Sequence, residues 1–380
     1  MIPYGRQSIE QEDIDAVVAV LKSDYLTQGP QVPAFEAAVA AATQADHAIA
    51  MNSATSALHI ACLALGLGAG DILWTSPITF VASSNCALYC GATVDFVDID
   101  PVSFNMCPKA LEQKLAQADA DGQLPKVIVP VHLAGQSCDM KAIGALARHY
   151  GIRVIEDASH AIGASYDGAP VGNCAHSDIA VFSFHPVKIV TTAEGGVATT
   201  QDAHLAQKMD YLRSHGITRD PELMSKSDGP WYYQQIDLGY NYRITELQAA
   251  LGVAQMTRLS AFVDRRQELA AQYDVKLAGL PLSCPVQHPD TRSSFHLYII
   301  RVAVDRHLAT FEALRAGGIG VNLHYIPVHL QPYYANLSFR PGDFPEAEAY
   351  YSEAISIPLY VGMSDADQDE VVAQLTKALA

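Results

Sequence analysis

What this sequence has little of narrows it first. Charged residues make up 17% of 380 positions against 49% hydrophobic, enough apolar material for a large core and too little charge for a disordered chain. Basic residues are the scarcer sign: 24 Lys and Arg stand against 41 Asp and Glu, a net charge of -17. Such a field repels a phosphate backbone, so nucleic acid is not an expected partner, and any anionic ligand has to be held by local donors. No run of 18 apolar residues occurs, and the opening MIPYGRQSIEQED has neither the basic nor the apolar stretch of a leader. A soluble, cytoplasmic protein with no membrane partner is expected. The seven cysteines are odd in number, and six fall in stretches that read as buried helix or strand, which suits a reducing compartment better than a disulfide framework. Cys86 and Cys90 have no second Cys or His pair at zinc spacing, so they read as core and no metal is expected. There is no internal repeat. GLGAGD closes a helix instead of following a strand, and so lacks the context of a dinucleotide fingerprint.

What is present is a long alternation of patterns. Ser8 and Glu10 to Lys22 read as a capped amphipathic helix with Ile14, Val17, Val18 and Leu21 on one face. A helix at 34–44, the strand AIAMNS and a helix from Ala54 to Leu67 follow. Then apolar runs (ILWTSP, TVDFVDI, KVIVPVHL, RVIEDA, DIAVFSF, GGVATT) alternate with helical patterns beginning at Phe80, Pro108 and Met140. Near-continuous apolar strands separated by helices predict a mainly parallel sheet covered on both faces, in a large α/β lobe at 25–250. A single helix from Thr245 to about Tyr273 leads past a Pro/Cys/His-rich stretch at 281–294. The strand HLYIIRVAV, a helix at 305–317, the strand GVNLHY and a last helix from Asp365 predict a smaller α/β lobe at 251–380, joined by residues 1–24.

Ligands of such sheets bind beyond the carboxyl ends of the strands, and three of those ends carry chemistry. Asn52-Ser53-Ala54-Thr55-Ser56 puts small and hydroxyl residues at a helix start, where free N–H groups can hold a phosphate without a cation; taken alone it reads as an ordinary cap. Asp157-Ala158-Ser159-His160 offers a carboxylate for a pyridinium nitrogen and an imidazole for a ring oxygen, or simply a cap and a core histidine. Ser183-Phe184-His185-Pro186-Val187-Lys188 offers a lysine whose pKa a low-dielectric cleft would lower, although a lone lysine is far more often a solvated surface charge. A phosphate cradle, an acid and a lysine at three ends of one sheet form the set that pyridoxal 5'-phosphate requires.

With Glu194-Gly195-Gly196 and Gly239-Tyr240-Asn241-Tyr242-Arg243 added in order, these segments resemble the sugar-aminotransferase branch of the type I pyridoxal-phosphate enzymes, the DegT/DnrJ/EryC1 family, over essentially the whole chain. The resemblance implies an α/β fold of the aspartate aminotransferase type, with a large mainly parallel seven-stranded sheet and a smaller C-terminal lobe. It implies that Lys188 carries the cofactor as a Schiff base and later shuttles a proton, and that Asp157 pairs with the ring nitrogen. Ser183 with Ser53, Ala54 and Thr55 would hold the phosphate, Phe80 would stack on the ring, and Asn241 would reach in from the other subunit of a homodimer. Most relatives carry Gln where this chain has His160; an imidazole can still hydrogen-bond the cofactor oxygen.

TSPITFVAS, DASHA and SFHPVKIVTTAEGG are similar to the branch of the family that acts in pseudaminic acid synthesis. That similarity implies amination at C4 of UDP-2-acetamido-2,6-dideoxy-β-L-arabino-hexos-4-ulose with L-glutamate as donor. It also implies a substrate site around Tyr4, Tyr25, Leu26, Thr27, Gln28, Ser56, His185, Asn241, His324, Tyr325, Ile326 and Pro327. Another GDP-, dTDP- or UDP-linked keto sugar is the alternative, and a non-catalytic sugar-nucleotide sensor a remote one. A dehydratase of the same family is disfavoured because its lysine position is His. The aromatic run from Trp231 to Tyr242, without a basic stripe, reads as cofactor and subunit packing and not as base stacking.

Overall fold

In a computed structural model covering residues 1–380, seven strands form one sheet: β1 His47–Met51, β2 Ile72–Thr75, β3 Thr93–Phe96, β4 Val127–Val129, β5 Arg153–Asp157, β6 Ile179–Ser183 and β7 Gly196–Thr200. Their order is β1-β7-β6-β5-β4-β2-β3, and only β7 runs antiparallel to its neighbours. The strands read as continuous apolar runs because both faces are covered: Val127, Ile128 and Val129 are all fully buried. The expected type I architecture, with its large mainly parallel sheet, is what the chain adopts.

The helices α1 Gln11–Leu21, α2 Gln31–Thr43, α3 Ala54–Ala64, α4 Ala82–Tyr89, α5 Pro108–Ala120 and α6 Met140–Tyr150 precede or alternate with these strands, and α7 Ala203–Arg213 follows the last of them. α6 shows how sequence sets the boundaries. Asp139 caps its first turn by accepting from Ala142 N–H at 3.1 Å, and Gly151 ends it at φ 69°, a conformation that costs a side-chain-bearing residue energy. After α8 Glu246–Met256 and α9 Leu259–Lys276 comes a second sheet of β8 Leu282–Ser283, β9 Tyr298–Val302 and β10 Ala354–Ile357, all antiparallel. With α9, α10 Val304–Ala316 and α12 Asp365–Leu379 it encloses a separate core around Tyr273, Tyr298, Leu314 and Val371; α11 Pro345–Glu353 precedes β10. Ile2 bridges to Ile319, so the chain start is tied to this unit.

Three expectations need correction. The apolar stripe of α1 faces outward: Ile14, Val18 and Leu21 are exposed, while Asp13 is 1% exposed. The acid is drawn in because its Oδ2 accepts from Gln255 Nε2 at 2.8 Å and Arg258 Nη2 at 2.5 Å; removing one partner of such a buried pair costs about 3–5 kcal/mol, which outweighs the burial of one aliphatic side chain. The single helix expected from Thr245 to about Tyr273 is two. The break falls at Thr257, whose hydroxyl turns back onto the Ala254 carbonyl at 2.6 Å. GVNLHY forms only an isolated bridge, Asn322 to Ser356, because Asn322 Oδ1 takes the Leu323 N–H at 2.8 Å and the chain turns toward the cleft.

Candidate active site

A cavity of about 580 Å³ opens at the carboxyl ends of β1, β2, β5 and β6. Its floor begins at Ser53, which caps α3: its Oγ accepts from Ser56 N–H at 3.1 Å. The N–H groups of Ala54 and Thr55 find no acceptor within the chain and lie on the cavity, at the positive end of the helix. Backbone comes unusually close here. A Cβ at Gly196, the first residue of β7, would stand 2.4 Å from Ala54 N, so only glycine lets the strand pass under the helix start. Ser183, the last residue of β6, lines the same corner.

Asp157 ends β5 and is 5% exposed. Its carboxylate is aimed by two donors, Ser83 Oγ to Oδ2 at 2.6 Å and Ser159 N–H to Oδ1 at 3.1 Å. Lys188 follows β6 in a turn closed by its own N–H donating to the His185 carbonyl at 2.9 Å; its Nζ has no hydrogen-bond partner. Desolvation pulls that amine down to about 8, and the attraction of Asp157 only partly offsets it. An unpaired amine brought down to about 8 and facing a held carboxylate is closer to its neutral, nucleophilic form at ordinary pH than a solvated lysine is.

The facing wall carries no formal charge. His160 Nδ1 accepts from Ala134 N–H at 3.2 Å, which leaves its proton on Nε2, 3.1 Å from the Tyr325 hydroxyl. Burial, then Lys188, then His324 hold His160 well below the usual imidazole range. His324 pairs Nδ1 with Ser356 Oγ at 2.8 Å, and burial pulls it down to about 4. Tyr4, from the chain start, tilts against His324 with ring centroids 5.4 Å apart.

A model of the DegT/DnrJ/EryC1/StrS aminotransferase family matches residues 7–376. The chain belongs to this family. The spore coat polysaccharide biosynthesis protein SpsC of Bacillus subtilis is 39% identical over 378 residues, 98% of this chain and 95% of that one. Among solved structures, the PMP form of the putative sugar aminotransferase Spr1654 from Streptococcus pneumoniae superposes with a TM-score of 0.91 at 30% identity, covering 100% and 99% of the two chains. So does Helicobacter pylori PseC, an aminotransferase involved in the biosynthesis of pseudoaminic acid, with the same score, identity and coverage. This member of the DegT/DnrJ/EryC1/StrS aminotransferases is a pyridoxal-phosphate-dependent enzyme.

Of the residues expected from sequence, Ser53, Ala54, Thr55, Phe80, Asp157, His160, Ser183 and Lys188 share this one cavity, together with Tyr4, His185, His324 and Tyr325. Phe80 is 58% exposed at its rim. Ser56 is buried just behind it, donating to Asn52 Oδ1 at 2.6 Å. Tyr25, Leu26, Thr27 and Gln28 lie on the surface outside the cavity, where Thr27 bridges Thr245; Asn241, Ile326 and Pro327 are also outside it, the first two exposed. The sequence reading missed His296, Asn322, Thr79 and Ser159 on the wall. Ser159 sat inside the quoted DASHA segment and Thr79 inside TSPITFVAS; His296 and Asn322 follow no strand of the large sheet and carried no local signal.

Proposed function

We propose that this enzyme transfers the amino group of L-glutamate to C4 of a nucleotide-linked 4-keto-6-deoxy sugar, with UDP-2-acetamido-2,6-dideoxy-β-L-arabino-hexos-4-ulose as substrate. The carrying observation is the unpaired Lys188 amine facing the held Asp157 carboxylate across a cavity floored by the free N–H groups of α3. This set fits pyridoxal phosphate. The Ala54 and Thr55 N–H groups and the Ser183 hydroxyl suit its phosphate, Asp157 suits its ring nitrogen, and Lys188 suits its aldehyde. Bound there, the cofactor supplies an aldehyde that carries nitrogen and a pyridinium ring that accepts electrons.

The chain supplies the rest. Asp157 would keep the ring nitrogen protonated, and Ser83 and Ser159 fix the direction of that carboxylate. Lys188 Nζ, its pKa brought down to about 8, would take the Cα proton of glutamate in the first half of the cycle and deliver a proton to C4 of the sugar in the second. The His160 Nε2–H, 3.1 Å from the Tyr325 hydroxyl here, would be the donor available to the cofactor's ring oxygen. Similarity to SpsC and PseC supports a sugar acceptor, and the resemblance carried by the TTAEGG and DASHA segments supports the UDP-linked choice. The exposed Asn241 and Tyr25 to Gln28 fit a homodimer in which a second copy completes the site, and seven unpaired cysteines fit a cytoplasmic setting.

The reaction run backwards tests the substrate. Enzyme and 2-oxoglutarate are incubated with UDP-, GDP- and dTDP-linked 4-amino-6-deoxy sugars, and glutamate is measured. The UDP-linked 2-acetamido sugar should be fastest; preference for a GDP- or dTDP-linked sugar would overturn the substrate and leave the amination standing.

A further inference from the structure

His296 is 4% exposed and lines the active-site cavity, yet it belongs neither to the strand ends nor to the Asn322–Tyr325 segment. Its ring packs on His160 with centroids 4.4 Å apart at 50°. Its Nδ1 is buried and has no hydrogen-bond partner. Two facts fix its protonation. A second cation is disfavoured beside Lys188 and above Arg266, a 2% exposed guanidinium without a carboxylate partner whose Nη1 donates to the carbonyls of Phe295, His296 and Leu359 at 3.0 to 3.2 Å. A buried N–H donor without an acceptor costs more than an unfilled acceptor, so in the neutral ring the orphaned Nδ1 is the bare nitrogen and Nε2 holds the proton. Arg266 thus pins the backbone of a residue whose one side-chain donor is Nε2–H.

We infer that His296 is a specificity residue for the amino acceptor, its Nε2–H donating to an uncharged oxygen of the sugar. An uncharged donor matches a hydroxyl or amide oxygen. A dicarboxylate has a different need, since Lys188 is the one Lys or Arg on this chain's cavity wall, and carboxylates buried against neutral donors stay uncompensated. The inference rests on the proposed sugar amination. Its sugar contact distinguishes it from a general packing role, because transamination divides into a glutamate half-reaction and a sugar half-reaction that can be measured apart.

The test compares His296→Gln, whose side-chain amide reaches about as far as imidazole Nε2, with His296→Asn, whose amide stops short. In the cofactor-loaded enzyme, His296→Asn should lower kcat/KM of the sugar half-reaction about tenfold, His296→Gln about threefold or less, and both should leave the glutamate half-reaction within about twofold of wild type. Calorimetric affinity for a UDP-linked 4-hydroxy-6-deoxy sugar, which cannot exchange nitrogen, should fall in the same order. Equal behaviour of the two variants, no loss in either, or a loss shared by the glutamate half-reaction would overturn the assignment. Wild-type enzyme that aminates no nucleotide-linked keto sugar would instead remove the reading beneath it.

Discussion

The two walls of the cavity are built by opposite means. Along the strand ends of the large sheet, local contacts do much of the placing: Asp157 is held by Ser159 two residues on as well as by the distant Ser83, Ser56 N–H by the Ser53 cap, and Lys188 by a turn closing on His185. That wall holds the formal charges. The facing wall brings His296, His324, Tyr325 and Tyr4 from distant segments onto His160 and is kept neutral by burial, with its imidazoles held low and the Tyr325 hydroxyl held high. On the proposed function the contrast would separate two tasks, with ionic groups holding a charged cofactor and neutral donors meeting neutral oxygens.

The largest test of that contrast removes the charged wall's nucleophile. Lys188→Ala should lose the visible absorbance of lysine-bound cofactor and reduce turnover by at least about a thousandfold, checked by spectrum and by glutamate-dependent amination. Next, a third contributor can be sought in a second copy. Lys188→Ala and Asn241→Ala subunits, each inactive alone, should on mixing regain about a quarter of wild-type activity, because half the dimers then carry one intact site of two. No recovery with hybrids shown to form would leave the site within one chain.

A smaller effect lies within the charged wall. Capture of pyridoxal phosphate by cofactor-free protein requires the neutral amine, so its rate should rise with pH through about 8 and level off above. Asp157 pulls that value upward, so Asp157→Asn should move the midpoint lower, as followed by stopped-flow absorbance. The smallest effect concerns the neutral wall. His324 falls from its ordinary 6.5 to about 4, so between those values the folded chain binds fewer protons than the unfolded one. Its contribution to stability is complete above 6.5 and is lost as the pH falls toward 4. Replacement by Asn should remove up to about one proton per chain from the pH dependence of urea unfolding in that window.

How far the sequence could be read follows the same division. Asp157 and Lys188 were legible because each sits just beyond an apolar strand whose period announces it, and Ser53 because capping is local. His296 and Asn322 were not, since what brings them to the cavity is packing between two sheets. α1 failed for a related reason. Its apolar stripe is real, but which face is buried was decided by Gln255 and Arg258, more than 240 residues away, acting on Asp13. Periodicity reports what a helix could bury, not which partner arrives.

The bridge from Ile2 to Ile319, and the contact of Tyr4 with His324, carry a consequence for biosynthesis. Ile2 and Tyr4 are made long before Ile319 and His324, the partners on which they close. Strands up to Thr200 can pair while translation continues, but the pocket acquires its second side only once Asn322 to Tyr325 have emerged. Until then Lys188 lacks the segment from Asn322 to Tyr325 that closes its cavity.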